Sequence, residues 1–167
     1  YMHATPPVVA FVGKSDSGKT TVVEKVVAEL VARGYRVATV KHHVHDFDID
    51  VPGKDSYRHA QAGSSVSMVS SPDKFAVIRR VERELTLDEI AREAGDVDIL
   101  IAEGFKRSAG VRIEVSRLER SDTLISTADE VIGLVTDHAS LSGVPTFGLD
   151  DAAGVVDLIE REVIAPA

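Results

Sequence analysis

The run Gly13-Lys14-Ser15-Asp16-Ser17-Gly18-Lys19-Thr20 constrains this chain more than any other, because it satisfies G-x-x-x-x-G-K-[ST] at every required position. Each residue type there has a physical reason. Gly13 and Gly18 permit positive φ and let the backbone approach a phosphate with no Cβ in the way. Successive N–H groups of such a turn form an anion nest. A helix beginning near Lys19 adds its unsatisfied N–H groups and positive dipole end, about 0.3–1 kcal/mol and up to about 2 when partly buried. Lys19 is placed to reach the β- and γ-phosphates, and the Thr20 hydroxyl to ligate Mg²⁺. Ser15, Asp16, Ser17 and Thr21 complete the candidate nucleotide-binding residues. Asp16 is the odd member, because it brings a carboxylate near a polyanion unless its side chain faces outward or accepts loop N–H groups.

The flanks supply the context that such a loop needs. Val8–Val12 reads as a strand buried on both faces. After the loop, Val22, Val23, Val26, Val27, Leu30 and Val31 recur at helical spacing, and Gly34 ends the helix. Residues 37–40 form a second strand, which makes a βαβ unit with a parallel sheet. Further on, "DSYRHAQAG" predicts a short helix capped by Asp55 and closed by Gly63, and residues 66–69 and 75–81 predict strands. Thr86 and Glu89 make a capping box for a helix ended by Gly95. Residues 99–102 read as a buried strand, "VRIEVSRL" as a strand with one wet face, and "EVIGLVTD" and "PTFGLDD" as two more before a terminal helix. The wet strand is open either to solvation or to pairing across subunits. The expectation is an α/β, P-loop NTPase fold with a mostly parallel sheet flanked by helices, residues 8–167 forming one nucleotide-binding domain behind a disordered leader at 1–7. A chain of 167 residues buries roughly two-thirds of its unfolded surface.

Charge and composition exclude several classes. A formal net charge of −8 argues against a broad nucleic-acid surface but not against one small anion site. The chain has no cysteine, so disulfides, thiolate metal sites and a cysteine nucleophile are out, which fits a cytoplasmic protein. No apolar run approaches the length of a membrane span.

In a parallel sheet, ligands bind at the carboxyl edge of the strands. Glu103 follows residues 99–102 at that edge, whereas Asp98 lies roughly 16 Å back along an extended strand. Glu103 is therefore the acid expected to help Thr20 hold Mg²⁺, and Lys106 stands near enough to meet a phosphate. Lys41, at the end of the second strand, offsets nucleotide charge. The loop "HHVHDFDID" has three readings: a transition-metal site built on His42, His43 and His45, a phosphate-sensing switch, or a solvated surface. Asp48 is its best single candidate, as a catalytic base or as a ligand to Mg²⁺ or its waters, ahead of Asp46 and Asp50. Asp137 stands at a strand end, where it either accepts from guanine N1 and N2 or simply closes a turn.

Taken together, "FVGKSDSGKTT", "VATVKHHVHDFDIDVPGKDSYRHAQAG", "DILIAEGFK" and "IEVSR" resemble the molybdopterin-guanine dinucleotide biosynthesis protein B (MobB) family over residues 11 to 117. The resemblance implies a fold of the signal-recognition and metallochaperone GTPase class, GTP with Mg²⁺, weak GTPase activity and a homodimer. It also implies a role as adapter to a molybdenum cofactor guanylyltransferase of the MobA type. The nucleotide role falls on 13–21 with Glu103, and the histidine-aspartate segment on 42–56. Asp16 departs from the small or amide residues also seen in such loops, and no N-K-x-D motif is present, so GTP over ATP rests on the resemblance. No glutamine follows Glu103-Gly104 to orient a water, which predicts slow turnover. A small-molecule kinase with Asp48 as base and Arg58 and His59 at the acceptor is the competing reading; a metallochaperone GTPase is the third.

Overall fold

The computed structural model describes residues 4–44, 47, 49, 53–108 and 110–165, which divide into two compact units. The first runs from the start of the chain to His42 and resumes at Thr86; the second is His43–Leu85.

The first unit is built on a six-stranded, wholly parallel sheet. Its strands are β1 (Val8–Val12), β2 (Val37–Lys41), β5 (Ile99–Glu103), β6 (Val111–Ser116), β7 (Gly133–Thr136) and β8 (Thr146–Phe147), in spatial order β2-β5-β1-β6-β7-β8. One face carries Val9, Phe11, Ile99, Ile101, Ile113, Val115 and Val135, and these form the main core with helices α1 (Lys19–Ala32) and α4 (Ala152–Ile159). The opposite face is made of small residues, Ala10, Val12 and Ala102, with Val40, Leu87 and Phe105 against them. Helix α3 (Leu87–Glu93) starts on the expected capping box: the Thr86 hydroxyl accepts from Glu89 N at 3.2 Å and the Glu89 carboxylate from Thr86 N at 2.8 Å.

Helix α1 buries Val22, Val23, Val26 and Leu30, while Val31 is more than half exposed and lies off the apolar stripe. It ends as the glycine predicts. Gly34 has φ 93°, its N–H donates to Val31 O at 3.0 Å and that of Tyr35 to Leu30 O at 3.1 Å, a Schellman closure. Arg33 there binds Glu29, Asp157 and Glu160, tying α1 to α4 and the turn of π-helix (Glu160–Ile164) that follows it.

Strand β6 departs from the expectation of a wet face. It lies between β1 and β7, both of its edges are paired, and 113–116 are buried, so it neither faces solvent nor has an edge for a second subunit. Its polar residues are used internally. Glu114, 1% exposed, accepts from Ile125 N at 3.0 Å and Ser126 N at 2.9 Å. Arg112 donates to Lys106 O and Ser108 O at 3.1 and 3.0 Å.

The second unit contains α2 (Asp55–Gln61) and an antiparallel hairpin of β3 (Val66–Ser70) and β4 (Phe75–Arg79). Asp55 is the first helical residue rather than the cap, which is Lys54; Gly63, at φ 112°, follows the helix end as expected. Met68, Val69, Phe75, Val77 and Val81 are exposed.

Candidate functional site: a phosphate loop at the carboxyl edge

Residues 13–18 leave β1 at the carboxyl edge of the sheet and enter α1 through Gly18, which has φ 87° and ψ 17°. Gly13 is required by space: a Cβ there would lie 2.4 Å from Val115 O and 2.9 Å from Ser17 Oγ. Helix α3 starts on the Thr86 side chain and α4 on Asp151, which accepts from Gly154 N at 2.9 Å. Helix α1 has no such side-chain cap and no acid in its first turn. Its first N–H groups are thus left for an external acceptor, with the helix dipole behind them.

Lys19 folds back over the loop, and its Nζ donates to Gly13 O at 2.7 Å and Lys14 O at 3.2 Å. Partial burial and the positive charges of Lys106 and Lys41 push its ammonium below the ordinary lysine value of 10.5, against the opposing pull of Glu103 and Asp16. The site therefore holds more positive charge than its own acids offset. Thr20 Oγ1 donates to Glu103 Oε1 at 2.5 Å, so the predicted hydroxyl and carboxylate meet although 83 positions separate them. Two hard oxygen donors beside a phosphate nest are the donor set that Mg²⁺ takes, and the residues fit that ion. Lys41 is paired in register with Glu103 across β2 and β5.

Other candidates fall as follows. Ser17 is 2% exposed and its hydroxyl has no hydrogen-bond partner among the described residues; Asp16, Thr20 and Thr21 are exposed. Asp16 holds the left-handed conformation at φ 62°. Asp137 Oδ1 accepts from Leu118 N at 2.9 Å, which joins the ends of β6 and β7 at the same edge. Asp98 sits at the opposite edge, where hydrogen bonds from Arg36 hold its carboxyl below the usual range. His42 leaves β2 with its N–H on Glu103 O at 3.0 Å and its ring 4.8 Å from that of Phe105. Asp48, with His45, Asp46 and Asp50, lies outside the described residues. Among the described residues no group of three or more His, Cys, Asp or Glu side chains is placed to hold a metal ion, and no helix is long and apolar enough to cross a membrane.

The sequence reading missed one feature altogether. The segment after β6 lies along the glycine loop: Arg117 donates to Asp16 O at 2.8 Å, Arg120 to Ser15 O at 2.7 Å, and Lys14 Nζ donates to the Ser121 and Thr123 hydroxyls. No local pattern announces these contacts, which span a hundred positions or more.

Residues 8–137 match the family described as molybdopterin guanine dinucleotide synthesis protein B, MobB. The molybdopterin-guanine dinucleotide biosynthesis adapter protein of Haemophilus influenzae is 32% identical over 163 residues, 96% of this chain and 92% of that one. The adapter protein of the same name from Escherichia coli is 32% identical over 160 residues, 92% of this chain and 91% of its own. Among solved structures, a molybdopterin-guanine biosynthesis protein B superposes with a TM-score of 0.69 at 29% identity, covering 92% of this chain and 97% of that one. Bacillus subtilis MobB does so with a TM-score of 0.74 at 26% identity, covering 92% and 96%. The glycine loop, the Glu103 strand end and the "IEVSR" strand all fall inside the matched residues, and the chain belongs to the MobB family.

Proposed function

We propose that this protein binds GTP with Mg²⁺ and serves in the cytoplasm as the adapter of molybdopterin guanine dinucleotide synthesis, assisting a guanylyltransferase of the MobA type. One observation carries the reading. The loop 13–20 has a side-chain-uncapped helix N-terminus, a lysine folded over it, and a hydroxyl–carboxylate pair beside it. These are the parts a triphosphate and its metal ion require. In this reading the backbone N–H groups of 16 and 18–20 and Lys19 bind the phosphates, and Thr20 and Glu103 hold Mg²⁺. The ion, when bound, neutralises phosphate charge. Asp137 is assigned the guanine contact through the carboxylate oxygen that does not accept from Leu118.

Hydrolysis is slow on this account. Gly104, Phe105 and Lys106 follow Glu103, with no glutamine to orient a water, and Arg117 and Arg120 are engaged on loop carbonyls. Lacking one such group costs about 10³–10⁵ in rate. We further propose a homodimer, supported by the exposed apolar residues of the β3–β4 hairpin, since an isolated two-stranded sheet is marginal on its own.

The test is the affinity and turnover of GTP against ATP, with and without the guanylyltransferase. We expect GTP to bind more tightly than ATP, with slow phosphate release and no dependence on a small-molecule acceptor. Lys19→Ala should abolish binding. Unchanged GTP affinity in that variant rejects the site, and turnover that appears only with a metabolite acceptor establishes a kinase instead.

A further inference from the structure

Two arginines stand beside the glycine loop. Arg117 and Arg120 approach it from the β6 side, and each donates to a backbone carbonyl, of Asp16 and Ser15 respectively. Arg117 Nε is buried beside Gly18, 3.7 Å from where a Cβ would stand there, and has no hydrogen-bond partner among the described residues. Their segment is itself held firmly. Arg120 N and Ser121 N donate to Arg117 O, Leu118 N donates to Asp137, and buried Glu114 accepts from Ile125 N and Ser126 N. Lys14 adds a tie from the loop to Ser121 and Thr123.

A trans peptide points its N–H opposite to its carbonyl. Holding Ser15 O toward Arg120 therefore turns Asp16 N–H to the far side of the loop. Holding Asp16 O toward Arg117 turns Ser17 N–H onto Lys14 O, where it donates at 3.1 Å. Between the two gripped carbonyls Asp16 stands at φ 62°, a conformation disfavoured for any residue with a Cβ. The loop's own turn, closed by Ser17 N–H on Lys14 O, shares that restraint with the two arginines.

We propose that Arg117 and Arg120 are positioning residues of the phosphate loop: they set its anion affinity by holding the Asp16 and Ser15 carbonyls from outside, without touching the nucleotide. The proposal rests on reading the loop as a triphosphate site. It extends that reading to residues at the far end of β6.

The experiment measures the affinity of the full chain for GTP and for inorganic tripolyphosphate by calorimetry, in the wild type, Arg117→Ala, Arg120→Ala and the double variant Asp16→Gly with Arg117→Ala. Each single variant should lose affinity for both ligands by the same factor, roughly 10- to 100-fold, the range for a hydrogen bond to a charged group. Added guanidinium ion should restore part of the loss in Arg117→Ala. Asp16→Gly should also restore part of it, because glycine holds positive φ without the restraint. Arg120→Ala repeats the test at the second carbonyl should Arg117→Ala fail to fold. A loss for GTP with none for tripolyphosphate overturns the proposal, since the arginine would then read the nucleoside. Unchanged affinities overturn it as well, while a wild type that binds neither ligand rejects the triphosphate site itself.

Discussion

Lys19 carries its charge where partial burial and two neighbouring lysines disfavour it. A bound triphosphate favours that same charge, so the proton affinity of Lys19 rises on binding. While Lys19 is protonated in the free protein, GTP affinity is independent of its titration. Above its depressed free-state pKa, below 10.5, binding must take up a proton and affinity falls as pH rises. Calorimetry at alkaline pH, in buffers of different ionisation enthalpy, should register that uptake; no dependence on buffer would remove Lys19 from the phosphates. The residues of this site were legible in unequal measure. Gly13, Gly18, Lys19 and Thr20 act within one loop, so their spacing carries their chemistry. Arg117 and Arg120 act on Asp16 and Ser15 from more than a hundred positions away, and in "SRLERS" a guanidinium reads as ordinary surface charge.

At the scale of the elements, helix starts and stops were readable because their signals are local. Thr86→Ala removes the side-chain acceptor for Glu89 N and should cost about 1 kcal/mol, read as a fall in Tm. An unchanged Tm would mean that α3 owes its start to packing alone. Strand β6 shows the opposite case. Its letters alternate in polarity at Arg112, Glu114 and Ser116, the pattern of a half-solvated strand. Yet Arg112 binds carbonyls at 106 and 108, Glu114 binds amides at 125 and 126, and Ser116 Oγ lies 2.8 Å from His138 Nε2. Alternating chemistry here reflects three loops being fastened, not a face exposed to water. Asp55 was misplaced by one residue for a simpler reason, since an aspartate serves the first helical position as well as the cap.

For the whole molecule, the parallel sheet follows from the βαβ pattern at its start. The position of β6 at its interior does not, because strand order depends on partners distant in sequence. Much of the exposed apolar surface lies in the second unit, where Met68, Val69 and Phe75 are exposed on the hairpin. Light scattering should give a dimeric mass, and Met68→Lys combined with Phe75→Lys should shift it to the monomer. A wild type of monomeric mass, or a dimer indifferent to both changes, rejects that interface.

The register of β1 has a consequence for how the protein is made. Val8 pairs with Leu100 and Val9 with Val111, so β1 is flanked by two strands that are synthesised long after it. Contacts of such separation close slowly and late. β1 lacks both of its sheet neighbours until residues 99–116 have been synthesised, and Arg117 and Arg120, which donate to the loop carbonyls, follow them. A chain cut before residue 99 therefore has the glycine loop without either of the strands that flank β1.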